Sequence, residues 1–344
     1  MSKNDEEQDP REGPLHPRHA QALVGHHSAE QRLLDAYHSG RFHHAWLLTG
    51  PKGIGKATLA YRLAKFLLRH PDPSAAPPGG LAVPRTDHVA AQVEARAHPD
   101  LKIVEKIADG GKLKTVINVE TSRKVGDFFS KTAGAGGWRI AIVDAAEDMN
   151  LAAANALLKT LEEPPARSVF ILVCSQRGRL LRTIRSRCIE LPLARLSEAD
   201  TRTVLEGLPD GAGREALKLT GIAQGSPGLA LSLAETGAGA VFARFAEAAQ
   251  RGRIDGATRF AVANALHGRG TEDRFASFCE LLDGWLAQAA AHAARAPESA
   301  ATGLAMAEAH DAISRSIRET NSLNLDRRLT MLQAFEQIDK ARRA

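Results

Sequence analysis

No run of about 18 or more uncharged apolar residues occurs anywhere in the 344-residue chain, the length a membrane-spanning helix requires. No membrane partner is therefore expected. The opening stretch MSKNDEEQDPREGPLHPRH is charged and lacks the apolar core of a signal peptide, so residues 1–18 read as a disordered lead-in to a cytoplasmic protein. Cysteine is scarce: Cys174, Cys188 and Cys279 are scattered, with no C-x-x-C pair, which excludes a disulfide framework and predicts reduced, mostly buried thiols. Thirteen histidines include the pairs His26-His27 and His43-His44. Without cysteine or acidic partners at ligand spacing they read as solvent or packing residues, and no metal site is expected. The net charge of +5 is compatible with contact with nucleic acid, but a surplus this small is usually just that of a soluble surface, and charge alone does not decide it.

The most informative scarcity is a single oxygen. Residues 50–59 read GPKGIGKATL. A phosphate-binding loop of the form G-x-x-x-x-G-K-[ST] needs Gly50, Gly55 and Lys56, which are present, followed by the hydroxyl that holds Mg²⁺. That position is Ala57. Thr58 lies one residue further along a helix, turned about 100° away, and does not substitute. The surroundings are those of a true loop. HAWLLTG (44–50) is a short apolar strand, and ATLAYRLAKFLLRH places Leu59, Leu63, Phe66 and Leu67 at helical spacing. The candidate nucleotide residues are thus Gly50, Gly53, Gly55 and Lys56. Asp144, at the end of the apolar strand within RIAIVDAAEDMN (139–150), completes the set. Hydrolytic loops of this kind usually follow that aspartate with a water-orienting glutamate; here Ala145 and Ala146 follow. Losing both oxygens argues against hydrolysis and leaves ATP binding in doubt.

Around these motifs, strands alternate with helices. LKIVEKI (101–107), a helix from about Val119 to Phe129, the helix 152–163 stopped by Pro164-Pro165, and SVFILVCS (168–175) predict an α/β parallel sheet covered on both faces. Ser28 is the expected cap of the first helix. PDPSAAPPGGLAVP (71–84) reads as a linker, followed by a polar segment to about Asp100. Lys102, Lys106, Lys112, Lys114, Arg123 and Lys124 read as a solvated face rather than a contact with DNA or another partner. From about residue 196 the pattern turns all-helical. The expected division is an α/β domain over 19–195, a small helical unit over 196–240 and an all-helical domain over 241–344. In the last helix Leu325, Leu329, Leu332, Phe335 and Ile338 make one apolar stripe, which reads as core, with a partner-helix surface as the alternative.

The segments HHAWLLTGPKGIGK (43–56), LAAANALLKTLEEPP (151–165) and TIRSRC (183–188) together resemble the bacterial clamp-loader subunits of DNA polymerase III, with the delta-prime type nearest. The resemblance runs through most of residues 20–235. It implies a AAA+ module, a helical lid and a C-terminal collar joining five subunits. It also implies work on a sliding clamp and primer–template DNA, alongside gamma/tau-like and delta-like partners. The family's arginine finger, which reaches a neighbour's γ-phosphate, falls on Arg187. A guanidinium is permanently charged and pairs bidentately with phosphate oxygens. The bland alternative is a surface arginine in a cluster with Arg182 and Arg185. Many relatives carry a four-cysteine zinc module, yet residues 71–138 hold no cysteine. Hydrolysing relatives carry G-S-x-R in the lid, where this chain reads Gly225-Ser226-Pro227-Gly228. The expectation is a subunit without ATPase activity of its own, catalytic only in trans. An active AAA+ motor or DNA-remodelling relative is the runner-up, and a DNA-binding scaffold with a vestigial loop ranks last.

Overall fold

The computed structural model describes residues 13, 15–106, 108–109, 112–113, 117, 119–130, 134, 137–295 and 300–343. They form two compact units. The first takes in the chain up to Arg214 together with Ala223–Leu229; the second is Glu215–Ile222 with Ala230–Ala344.

In the first unit, strands and helices come in the order α1 (His27–His38), β1 (Ala45–Thr49), α2 (Lys56–Arg69), α3 (His88–Glu94) and β2 (Leu101–Glu105). A small antiparallel pair, β3 (Ala108–Asp109) with β4 (Lys112–Leu113), precedes α4 (Val119–Ser130). Then come β5 (Arg139–Asp144), α5 (Leu151–Glu162), β6 (Ser168–Cys174), α6 (Arg182–Arg185), β7 (Ile189–Pro192) and α7 (Glu198–Glu206). Five of the strands make one sheet in the order β2-β5-β6-β1-β7, every pairing parallel. Successive side chains of a strand point to opposite faces, so β1 sends Trp46 and Leu48 into one core and Ala45 and Leu47 into the other. The first core is closed by α1 and α2 through Leu33, Leu34, Leu63 and Phe66. The second is closed by α4 and α5 through Val125, Phe129, Leu157 and Leu161. Burial on both faces is why β5 and β6 read as unbroken apolar runs. Each such side chain contributes roughly 1.5–3 kcal/mol on leaving water. This is the parallel α/β sheet, covered on both faces, that the sequence predicts.

Some local readings change. Helix α1 starts at His27, one residue before the expected cap Ser28, and has no side-chain cap hydrogen bond. The polar segment before Asp100 contains α3, whose cap Asp87 accepts the Val89 N–H at 2.9 Å. A short edge strand, β7, runs beside β1; its last residue, Pro192, lacks an N–H, which an edge position tolerates. Lys106 is paired with Asp148 at 2.8 Å and Lys124 with Glu120 at 3.3 Å, so these two belong to local ion pairs. Lys114 and the Lys112 side chain lie outside the described residues.

Three short or shared helices follow, α8 (Arg214–Leu217), α9 (Thr220–Ala223) and α10 (Pro227–Thr236). The second unit continues with α11 (Ala238–Gln250), α12 (Gly256–Ala265), α13 (Glu272–Ala293), α14 (Ala300–Leu323) and α15 (Arg327–Ala341). Its described residues contain no strand. The core is an aromatic cluster: Phe245 stacks on Phe335 at 5.4 Å, with Phe242, Phe278 and Trp285 edge-on or tilted around it. The C-terminal stripe splits in two. Phe335 and Ile338 are fully buried beside Met331, but Leu325 and Leu329 are 49% and 55% exposed. The core reading holds for the second half of α15 and fails at its start, because the aromatic cluster gathers only the later turns. No single helix among the described residues is long and apolar enough to cross a membrane.

Candidate functional site

The glycine-rich loop leaves the C-terminal end of β1 and enters α2, whose first residue is Lys56. Gly53 (φ +76°) and Gly55 (φ +104°) adopt left-handed backbone that disfavours other residues. Lys56 is 4% exposed. Its Nζ donates to the loop's own carbonyls, Gly50 O at 2.7 Å and Pro51 O at 2.6 Å. The next carbonyls are engaged as well. The Ser226 hydroxyl donates to Lys52 O at 2.7 Å, the Gly228 N–H donates to Gly53 O at 2.9 Å, and His26 Nε2 donates to Ile54 O at 2.7 Å. Five successive carbonyls, Gly50 to Ile54, are thus held by hydrogen bonds from within the chain. Ser226, Gly228 and the loop all belong to the first unit.

The fit between the loop and residues 226–229 is close. A Cβ added at Gly53 would meet Ser226 Oγ at 2.5 Å and Leu229 N at 2.7 Å; one at Gly228 would meet Gly53 Cα at 2.8 Å. At the sequence level, Gly228 marks an arginine that is absent. In the fold its missing side chain creates a contact, letting two backbones approach to hydrogen-bonding distance.

Asp144 ends β5 beside Glu105 of β2 and Val173 of β6. Beyond it, Ala146–Asp148 form a single 3-10 turn. There Glu147 is 9% exposed, and its Oε1 accepts the N–H groups of Ser175 at 2.8 Å and Gln176 at 3.2 Å. That carboxylate anchors the turn after β6. Burial and the neighbouring Glu147 carboxylate push the Cys174 thiol up to about 12, keeping it protonated. Ala57, at the start of α2, offers no oxygen to a metal ion. Among the described residues no group of three His, Cys, Asp or Glu side chains is placed to hold one.

Arg187 lies elsewhere. It follows α6 and precedes β7, at the N-terminal edge of the sheet. Its Nη1 donates to Thr183 O at 2.8 Å and to Ser186 Oγ at 3.3 Å; its Nη2 donates to Glu162 Oε1 at 2.6 Å. A depression of about 650 Å³ opens beside it, lined by His43, His44, Glu162, Ser186, Arg187 and Cys188 among others. His43 and His44 stand with ring centroids 4.3 Å apart. His44 Nε2 donates to Leu161 O at 3.0 Å, and burial with the adjacent His43 lowers its pKa. Burial alone pushes the Cys188 thiol up to about 12, so it is not a nucleophile at neutral pH.

The two candidate sites occupy opposite ends of β1. His43 and His44, which line the Arg187 depression, immediately precede the strand, and Gly50 immediately follows it. Five residues of strand separate them by about 17 Å at ordinary strand rise. Gly50, Gly53, Gly55 and Lys56 are brought together, with Asp144 at the same C-terminal edge of the sheet; Arg187 is not. Glu162, Ser226 and the His43–His44 pair were not singled out as site residues by sequence reasoning. No local pattern links Glu162 to Arg187 or Ser226 to Lys52, and these contacts arise only from the fold.

The protein family described as DNA polymerase III, delta subunit, matches residues 25–197. The DNA polymerase III subunit delta' of Pseudomonas aeruginosa is 37% identical over 186 residues, covering 54% of this chain and 53% of the relative. That of Escherichia coli K12 is 34% identical over 203 residues, covering 59% and 58%. The DNA polymerase III subunit gamma of Buchnera aphidicola is 30% identical over 224 residues, covering 64% and 58%. The matches therefore span little more than half the length of these relatives.

Proposed function

The chain belongs to the DNA polymerase III delta subunit family, and from that premise we propose that it is a delta-prime-like clamp-loader subunit. In this reading it does not hydrolyse ATP itself and supplies Arg187 to the ATP of a neighbouring gamma/tau-like subunit. With a delta-like subunit the complex would open the sliding clamp and place it on primer–template DNA. Residues 196–240 would serve as the lid and 241–344 as the collar through which subunits assemble.

The observation that carries the reading is the separation of Arg187 from its own loop by the full length of β1. A guanidinium at that edge is out of reach of a phosphate held by Lys56, and it is half-exposed, as a group acting on another subunit must be. The state of the loop supports the same reading. Lys56 is committed to Gly50 O and Pro51 O, and residues 226–229 pack onto Gly53. With Ala57 and Ala145 where metal-holding and water-orienting oxygens belong, these residues do not fit a hydrolysable magnesium–nucleotide complex.

The test is Arg187→Ala in the reconstituted complex. An arginine finger contributes about 10³–10⁵ in rate at the site it serves, so the substitution should abolish the adjoining site's share of DNA-stimulated ATP turnover. Assembly, followed by gel filtration, should persist. Unchanged turnover, or robust hydrolysis by the isolated chain, overturns the proposal.

A further inference from the structure

We infer that Glu162 is a positioning residue for Arg187, holding the guanidinium at the mouth of the His43–His44 depression so that it meets a neighbour's terminal phosphate already oriented. The inference rests on the proposed trans-acting role of Arg187.

Glu162 is the last residue of α5, just before the Pro164-Pro165 stop. A carboxylate is unfavourable there, because the carbonyl end of a helix carries partial negative charge. A cation beside it offsets that cost, and Arg187 Nη2 provides one at 2.6 Å. The two residues are 25 positions apart, so the pairing is made by the fold.

The pair contributes little to folding. The side chains are 33% and 49% exposed for Arg187 and Glu162, and exposed ion pairs are among the weakest stabilising contacts. Its effect on the arginine's freedom is larger. An arginine side chain has many rotamers, and ordering it on encounter carries an entropy cost. Here Nη1 is fixed by Thr183 O from the same turn, and Nη2 by Glu162 from a different helix. Two anchors from separate elements define the guanidinium plane, and the fork still has N–H groups over for an incoming oxyanion. Next to it the depression of about 650 Å³ is large enough for a terminal phosphate group, with the Ser186 hydroxyl and two imidazoles on its walls. The carboxylate therefore orders the guanidinium before the phosphate arrives, and such orientation acts on the rate more than on ground-state binding.

The test uses the reconstituted complex with Arg187→Ala, Glu162→Ala, Glu162→Gln and the Glu162→Ala/Arg187→Ala double variant. Steady-state ATP kinetics are read in the presence of primed DNA and clamp. Glu162→Ala should lower kcat at the adjoining site about tenfold, as small misplacements of a reacting group do, with KM unchanged. Glu162→Gln, whose amide oxygen still accepts the Nη2 proton, should recover kcat to within about twofold of the parent, because the acceptor geometry is kept. The double variant should be no worse than Arg187→Ala alone, since Glu162 acts only through the arginine. Losses that multiply, or a kcat untouched by Glu162→Ala while Arg187→Ala collapses it, overturn the inference. An Arg187→Ala variant with normal turnover instead removes the trans-acting role itself, and the two failures are told apart by that single arm.

Discussion

The backbone N–H of Gly228 donates to the carbonyl of Gly53 at 2.9 Å, and neither residue has room for a side chain. This contact ties the start of α10 to the phosphate-type loop within the first unit. Gly53→Ala would both strain a left-handed backbone and drive a methyl group against Ser226 and Leu229. We expect it to destabilise the unit by about 1–3 kcal/mol, read as a shift in the urea midpoint at unchanged slope.

Lys56 provides a second expectation that separates structure from catalysis. Buried and bonded to two carbonyls, it makes charged hydrogen bonds of about 1.5–3 kcal/mol each at most. Lys56→Ala should therefore lower unfolding stability by about 1–3 kcal/mol. The ATP turnover of the assembled complex should stay within about twofold of the parent, since on the proposed reading the loop takes no part in hydrolysis. A complex silenced by this substitution would show that the loop is a working nucleotide site.

Restoring one oxygen should not restore chemistry. Ala57→Thr returns the metal-holding hydroxyl, yet Ala145 still offers no carboxylate and Lys56 still faces the loop's carbonyls. The isolated variant is expected to show no ATP turnover above the parent protein, measured by phosphate release.

Stability should fall as the solution is acidified through the histidine range. Burial lowers the pKa of His44, of His70 and of His98 below their ordinary value of 6.5. For each, the unfolded chain takes up a proton at a pH where the folded chain does not. The stabilising contribution is therefore complete above about 6.5 and is lost as pH falls from there toward the depressed folded value. Unfolding midpoints between pH 7.5 and 5.5 should decline, and His44→Gln should flatten the slope. A midpoint that rises on acidification over this window would contradict the assignment.

Leu325 and Leu329 are large apolar side chains exposed on the second unit. Leu329→Asp is expected to leave the isolated chain's stability within about 0.5 kcal/mol, as surface changes do. If this face serves the proposed collar, the same variant should weaken assembly, visible as an earlier loss of the complex on dilution in gel filtration. Full-strength assembly would place the collar contacts elsewhere.

Much of the first unit was legible along the chain, and for a definite reason. Strand, glycine loop and helix at 45–69 are set by local rules: an apolar run buried on both faces, glycines where φ is positive, and heptad-like spacing after Lys56. The same holds for Asp144 at its strand end and for the proline stop after α5. The short elements α3 and β7 escaped because too few residues carry a periodic pattern. The exposed start of α15 escaped because a stripe does not say which of its turns meets a core.

By itself the sequence determined which chemical groups exist: a lysine and glycines without a partner hydroxyl at 57, an arginine in the SRC context, and strands that must be buried. Only the tertiary structure decided which of those groups meet. The parallel order of the sheet puts residues 50–56 and 187 at opposite ends of one strand, and chain crossings bring Gly228 to Gly53 and Glu162 to Arg187. Propensity acts over a few neighbouring residues, whereas these contacts join segments tens to nearly two hundred positions apart. Their geometry follows from sheet order and packing, which no local stretch encodes.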